Sequence, residues 1–115
     1  MDNYEKVRAY HKKFSLPLDM GFPPDEIVAN RLRFISSEFE ELKEATANKN
    51  RVEIMHELAD LLAVCYGMAA EFGFDINEVF NRVVASNMTK DKPLDGIGKL
   101  VKGPSFKPVD LSDLA

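Results

Sequence analysis

Two acidic stretches with helical spacing constrain the fold of this 115-residue chain more than any other feature. Each stretch carries two carboxylates three positions apart, Glu38 with Glu41 and Glu57 with Asp60. Residues at this spacing lie on one face of an α-helix, so each stretch predicts a helix that presents a carboxylate pair. Four carboxylates that meet across two helices cannot all stay ionised without a positive partner. The pattern therefore predicts two packed helices with a divalent cation between them.

Apolar residues at helical spacing predict four helices and no strand. The first helix covers about residues 2–14, and the second begins at Pro24 and ends near Ala47, because proline and the acidic residues after it suit a first helical turn. Asn50 and Asp75 each have a glutamate three residues later, which is the pattern of an N-terminal cap. They predict the starts of the third and fourth helices, whose predicted ends are Gly73 and Lys90.

Glycine and proline are frequent in the last part of the chain, residues 91–115. Six of them follow the fourth helix, at Pro93, Gly96, Gly98, Gly103, Pro104 and Pro108. This density excludes a further long helix, so residues 91–115 are expected to form an irregular tail. The predicted fold class is all-α, an antiparallel four-helix arrangement with a helical core at about residues 2–90, and residues 1–115 form one domain.

A helical wheel at about 100° per residue separates the inward-facing acids of the second helix from the outward-facing ones. The main apolar stripe consists of Val28, Leu32, Ile35, Phe39 and Leu42. Glu38 falls between this stripe and a second apolar group, and Glu41 falls at the edge of that group. Glu40 and Glu44 point away, so a solvated surface explains them.

The third helix repeats this placement. Glu57 lies between the apolar residues Leu61 and Val64, and Asp60 lies next to them on the wheel. An ionised carboxylate in such a position costs several kcal/mol unless it is paired or bound to a metal. Arg31 is the basic residue nearest to this arc. We therefore predict a metal site whose four ligands are Glu38, Glu41, Glu57 and Asp60.

The ligand types indicate which metal the site prefers. Oxygen ligands favour hard ions, Mg²⁺ first and Mn²⁺ as a possibility. Glu53 and His56 have the Glu-x-x-His spacing of di-iron bundles, but such sites need two of these motifs. The other histidine, His11, has Arg8 in place of the glutamate. His56 is therefore interpreted as a surface residue or as a support for a metal ligand.

Charge and hydropathy exclude several classes of protein. The net charge of −4 argues against a binder of nucleic acid polymers, which usually carries a basic surplus. The sequence contains no membrane span, and its first residues lack a secretion signal, so we expect a cytoplasmic protein. Cys65 lies in an apolar helical run and is predicted to be a buried thiol.

At the two acidic motifs the sequence resembles the MazG-like superfamily of all-α nucleoside triphosphate pyrophosphohydrolases. The motifs read Glu38-Phe39-Glu40-Glu41, fifteen intervening residues, then Glu57-Leu58-Ala59-Asp60. The segments Ser86–Lys90 and Lys102–Pro104 are similar to those of small single-domain members, and the resemblance covers about residues 24–110. Many members have a further glutamate directly before the first motif, where this chain has Ser37.

This resemblance implies hydrolysis of a (deoxy)nucleoside triphosphate to its monophosphate and pyrophosphate, as a house-cleaning or pool-controlling activity. It implies that Glu38, Glu41, Glu57 and Asp60 hold Mg²⁺ and form the catalytic set, while Ser37 leaves the general base open. Asn87, Lys90 and Lys102 are candidate phosphate contacts, although Lys90 also suits a helix C-terminus. The resemblance further implies a homodimer or homotetramer. A phosphoribosyl-ATP substrate stays open, as does a non-catalytic helical oligomer or binding module with a structural cation site.

Overall fold

The computed structural model describes residues 1–93 and 96–115. Four α-helices and one 3₁₀ turn follow one another along the chain, and the described residues contain no strand, so the all-α class is confirmed. The chain divides into two compact units, residues 1–74 and residues 75–115. The elements are α1 (Asn3–Lys13), α2 (Asp25–Ala47), α3 (Arg51–Phe72), α4 (Ile76–Asn87) and the 3₁₀ turn Ser112–Leu114.

The predicted caps are present at the ends of α3 and α4. The Asn50 side chain accepts a hydrogen bond from the Glu53 amide at 3.1 Å, and Asp75 accepts one from the Glu78 amide at 3.2 Å. Gly73 ends α3 with a φ of 90°, a conformation that glycine adopts without strain. Helix α4 ends at Asn87 rather than near Lys90, since the chain turns at residues 88 and 89.

The first unit consists of α1, α2 and α3. Arg31 near the start of α2 meets Glu71 near the end of α3, so these two helices run antiparallel. Helix α1 packs on α3, where the Tyr4 hydroxyl donates to the Ala69 carbonyl at 3.2 Å and its ring lies beside that of Tyr66. Helix α3 is therefore the common wall on which α1 and α2 pack.

The loop between α1 and α2 closes the C-terminal end of α3. The amides of residues 19–21 donate in turn to the carbonyls of residues 70–72, at 2.9, 2.8 and 3.1 Å. Terminal helix carbonyls have no partner within their own helix, so these bonds satisfy groups that would otherwise need water. Arg8 donates two hydrogen bonds of 2.7 Å to the Asp19 carboxylate and ties α1 to the same loop.

The apolar stripe predicted for α2 differs from the face that the helix buries. Leu32 is 52% exposed and Phe39 is 48% exposed, whereas Arg31 and Ala45 are buried. Helix α3 also keeps apolar residues at its surface, and the prediction of a buried thiol is wrong because Cys65 is exposed. Both helices thus bury one face within the unit and leave other apolar side chains exposed on its surface.

In the second unit, the irregular tail folds back onto α4. The Ser86 hydroxyl donates to the Lys107 carbonyl at 2.6 Å, and Arg82 donates to both carboxylate oxygens of Asp113 at 2.6 and 3.0 Å. These bonds fix the end of the tail without a strand or a long helix. Among the described residues, no helix combines the length and the apolar character that crossing a membrane requires.

Candidate metal centre

Three of the four predicted ligands come together between α2 and α3. Glu38 and Glu41 lie on successive turns of α2, and each can place a carboxylate oxygen within 4.8 Å of one from Glu57 on α3. Asp60 lies outside this group. Its Oδ2 atom is 3.2 Å from Nε2 of His56, although its charge is close enough to act on both Glu38 and Glu57. The cluster is therefore a carboxylate triad with Asp60 beside it.

Two oxygens of the triad are buried and unpaired. Oε2 of Glu38 and Oε2 of Glu57 have no hydrogen-bond partner in the described part of the chain, and the Glu57 side chain is only 13% exposed. Buried carboxylate oxygens normally accept hydrogen bonds or bind a cation, because leaving them unpaired is costly. The oxygen-only donor set and the two orphaned atoms fit a hard divalent cation.

Electrostatics also favour a positive charge at this position. Burial, together with the neighbouring Glu41, raises the pKa of Glu38 to about 7. Burial and Glu41 likewise raise the pKa of Glu57, against a smaller lowering by His56. A bound cation stabilises the ionised form of both groups, so metal would replace protons here.

The arginine expected nearest to the acids does not neutralise them. Nε and Nη2 of Arg31 donate to the two carboxylate oxygens of Glu71 at 2.8 and 3.1 Å, and both side chains are buried. In this bidentate pair, the Glu71 carboxylate neutralises the guanidinium charge of Arg31. Sequence reasoning missed it because the partners lie 40 positions apart. Arg31 is therefore not the positive partner of the carboxylate triad.

A second group of possible ligands adjoins the triad and shares Glu57 with it. One donor atom each from Glu53, His56 and Glu57 can lie within 4.8 Å of the others. The Glu-x-x-His spacing, interpreted from the sequence as an incomplete di-iron motif, thus places its histidine next to the carboxylates. His56 adds a nitrogen donor of the kind that transition metals accept more readily than Mg²⁺ does.

A cavity of about 540 Å³ opens beside Glu38 and Asp60 in the first unit. This volume lies within the range of small-molecule sites. Nδ1 of His11 is 2.8 Å from the Pro17 carbonyl, which can only accept, so Nδ1 donates and a neutral ring keeps Nε2 as an acceptor. Sequence reasoning missed the cavity because its lining comes from three helices and a loop, including Lys6, Val7, Tyr10, His11, Phe34 and Val64.

The predicted phosphate contacts lie in the second unit. Asn87 is the last residue of α4, and its carbonyl accepts a hydrogen bond of 3.1 Å from the Lys90 amide. Lys102 lies in the tail, with its ammonium group 5.3 Å from the centre of the Phe106 ring. Ser37, which replaces the additional glutamate of many MazG-like proteins, is an exposed residue of α2.

Comparisons with known proteins identify the family. A search of curated proteins finds no match. The profile of the phosphoribosyl-ATP pyrophosphohydrolase family matches residues 7–87, more than half of the chain and a span that includes both acidic motifs. It reaches α1, which the sequence resemblance did not cover, and ends before the tail. The chain belongs to the phosphoribosyl-ATP pyrophosphohydrolase family, a branch of the MazG-like all-α superfamily, and is thus a nucleotide pyrophosphohydrolase by family.

Proposed function

We propose that this protein hydrolyses (deoxy)nucleoside triphosphates between the α- and β-phosphates and releases the monophosphate and pyrophosphate. The observation that carries this proposal is the pair of unpaired, buried oxygens of Glu38 and Glu57 beside a cavity of nucleotide-compatible size. A house-cleaning or pool-controlling role follows from this reaction type. The acidic motifs of the sequence suggest the same reaction.

The proposed metal ligands are Glu38, Glu41, Glu57 and Asp60. Held by these residues, Mg²⁺ or Mn²⁺ would neutralise charge on the triphosphate and lower the pKa of the attacking water. Asp60 lies next to the triad, so we propose that one of its carboxylate oxygens binds the metal in the loaded protein while the other keeps its contact with His56. His56 then holds the Asp60 carboxylate in place through this contact.

The same carboxylates provide the base for the attacking water. A serine hydroxyl is not basic at neutral pH, so Ser37 does not take the proton that a glutamate at that position could accept. The proton therefore goes to a carboxylate of the catalytic set Glu38, Glu41, Glu57 and Asp60.

The cavity in the first unit is proposed to hold the nucleoside part of the substrate. Glu38 and Asp60 at its edge place the metal ligands next to the cavity, as hydrolysis at the phosphate nearest the nucleoside requires. Phe34 and Tyr10 offer aromatic rings, and His11 offers a ring nitrogen for an N–H group. Asn87, Lys90 and Lys102 are proposed to contact phosphate oxygens, in a homodimer or homotetramer.

Phosphoribosyl-ATP is the second candidate substrate, and the description of the matched family favours it. It carries the same triphosphate, so the metal centre would act on it in the same way. A third possibility, a non-catalytic oligomer with a structural cation, has the same ligands but no turnover.

A substrate panel tests these alternatives. Purified protein is incubated with each common nucleoside triphosphate, each deoxy form and phosphoribosyl-ATP, with Mg²⁺ or with chelator, and pyrophosphate and monophosphate are quantified. We expect equimolar release of both products, dependent on the metal. Release of inorganic phosphate instead of pyrophosphate would contradict the proposed bond cleavage. Metal binding without turnover of any compound would support the structural cation site.

A further inference from the structure

His11 on α1 is the most buried residue that lines the cavity of the first unit. It is 2% exposed, and it shares the lining with Glu38 and Asp60. Its Nδ1 atom lies 2.8 Å from the Pro17 carbonyl oxygen, which can only accept a hydrogen bond. This contact fixes the orientation and the tautomer of the ring, because Nδ1 must carry the proton and Nε2 of the neutral ring must be an acceptor.

The Nε2 atom of His11 is available to a ligand. It has no hydrogen-bond partner among residues 1–93 and 96–115, and within those residues the unpaired side-chain atoms closed to solvent belong to Glu38 and Glu57. Nε2 is therefore open to the cavity, although nearly all of the residue around it is buried. A polar atom in this position selects a ligand group of matching hydrogen-bond character. Here that group must be an N–H or O–H donor.

The metal-ligand side of the cavity is more open than the side formed by His11. The Asp60 side chain is 43% exposed, whereas His11 is enclosed. The phosphates belong with the metal ligands at the open side, so the edge of the base farthest from the sugar is the part that reaches His11. Cytosine and adenine carry an amino group on that edge, which donates hydrogen bonds. Uracil, thymine, guanine and hypoxanthine carry a carbonyl oxygen there, which accepts them.

We propose that Nε2 of His11 determines base specificity and selects nucleotides of cytosine and adenine over those of uracil, thymine, guanine and hypoxanthine. The amino group donates to Nε2, whereas a carbonyl oxygen would face a second acceptor. The ring cannot donate from Nε2 instead, because the Pro17 carbonyl holds the proton on Nδ1. A site that requires a hydrogen bond strongly rejects an analogue that lacks it. This inference rests on the proposed function, which places the phosphates at the metal ligands.

Binding of nucleoside monophosphates tests this selection without turnover, because these compounds lack the bond that the enzyme would cleave. Calorimetric titration of the full chain in Mg²⁺ compares cytidine with uridine monophosphate and adenosine with inosine monophosphate. In each pair, a carbonyl oxygen replaces the amino group. We expect the wild type to bind the amino member of each pair at least ~10-fold more tightly.

Two substitutions of His11 remove the fixed acceptor. His11→Asn keeps an N–H donor for the Pro17 carbonyl but has no atom at the position of Nε2. His11→Gln places an amide there, which can donate or accept. In both variants the two members of each pair should bind within about twofold of each other. Circular dichroism of the same samples checks that the helices are unchanged.

Lys6→Gln is the matched control, because Lys6 is an exposed residue of the same cavity lining. Its charge acts on the phosphate that both members of a pair share, so affinity for both should change alike and the preference should stay. Equal affinity of the wild type within both pairs would overturn the selection, as would a preference retained in whichever His11 variant is folded. Preferential binding without hydrolysis of any triphosphate would reject only the proposed function, and hydrolysis without base preference would reject only the selection.

Discussion

Glu57 belongs to both groups of possible metal ligands, and one of its oxygens is buried and unpaired. Glu57→Gln keeps the size of the side chain but removes the charge that a cation needs. We expect pyrophosphate release to fall at least ~100-fold, since the loss affects charge stabilisation in the transition state. Helix content should not change, because the substitution relieves repulsion with Glu41. Product assays and circular dichroism of the same sample measure both effects.

Glu40→Gln is the matched control for this substitution. Glu40 is an exposed residue of α2, 3.5 Å from Lys43 in a surface ion pair. Exposed pairs of this kind contribute little to stability, and the residue is outside the ligand groups. Its activity should equal that of the wild type. Full activity in Glu57→Gln, or an equal loss in both variants, would remove the site assignment.

The raised pKa of Glu38 predicts how the metal-free protein responds to pH. Its pKa is about 7 in the folded chain and lower in the unfolded chain, so the folded form binds more protons between these values. The free energy of unfolding therefore falls as pH rises through this range, and the raised pKa of Glu57 acts in the same direction.

Urea unfolding in chelator at about pH 5 and about pH 8 measures this dependence. The wild type should lose more stability on going to the higher pH than Glu38→Gln does, because glutamine does not titrate. Adding Mg²⁺ at the higher pH should restore stability to the wild type only. A steeper pH dependence in Glu38→Gln would contradict the assignment of the raised pKa.

Carboxylate spacing predicted which acidic residues are neighbours, because residues three apart on a helix stay neighbours whatever the helix packs against. It predicted that Glu38, Glu41 and Glu57 meet, and the structure brings these three together. It did not predict the contact of Asp60 with His56, which depends on side-chain conformations.

Helix ends were predictable from local signals, since a cap and its partner lie within one turn. Asn50, Asp75 and Gly73 mark the ends of α3 and the start of α4 as predicted. The buried face of α2 was not predictable in this way. Arg31 lies inside because a glutamate 40 positions away pairs with it, and Leu32 lies outside although it is apolar. A helical wheel shows which residues share a face but not which face packs against another helix.

The Arg31–Glu71 pair joins α2 to α3, and its loss should weaken the first unit. Glu71→Ala leaves a buried guanidinium without its partner, so we expect unfolding to become easier by about 3–5 kcal/mol in urea titrations. Glu78→Ala on α4 is the control, because this glutamate also pairs with an arginine but is more exposed, and it should cost about 1 kcal/mol or less.

Replacing both residues of the pair with apolar residues separates the effect of the buried charge from the effect of side-chain packing. The double variant Arg31→Met/Glu71→Leu removes both buried charges and should recover most of the stability lost in Glu71→Ala. A loss in Glu71→Ala no larger than that in Glu78→Ala would show that water reaches the guanidinium.

At the scale of the molecule, the exposed apolar residues of α2 and α3 form a candidate surface for a partner. Leu32 and Phe39 on α2 and Leu58 and Leu62 on α3 are each about half exposed. A chain of this size has little core to spare, and exposed apolar surface of this kind is typical of an interface between protein chains. A second copy packed on this surface would explain why the sequence stripe and the buried face differ.

We therefore predict a homodimer or homotetramer in which Leu58 is covered by another subunit. Leu58→Glu places a charge in that interface and should shift the protein to monomer in sedimentation velocity at micromolar concentration. Leu100→Glu is the matched control, because Leu100 in the tail is 47% exposed, as is Leu58. It should keep the mass of the wild type. A wild type that sediments as a single monomeric species would contradict the prediction, and dissociation by both variants would place the contact elsewhere than on α3 alone.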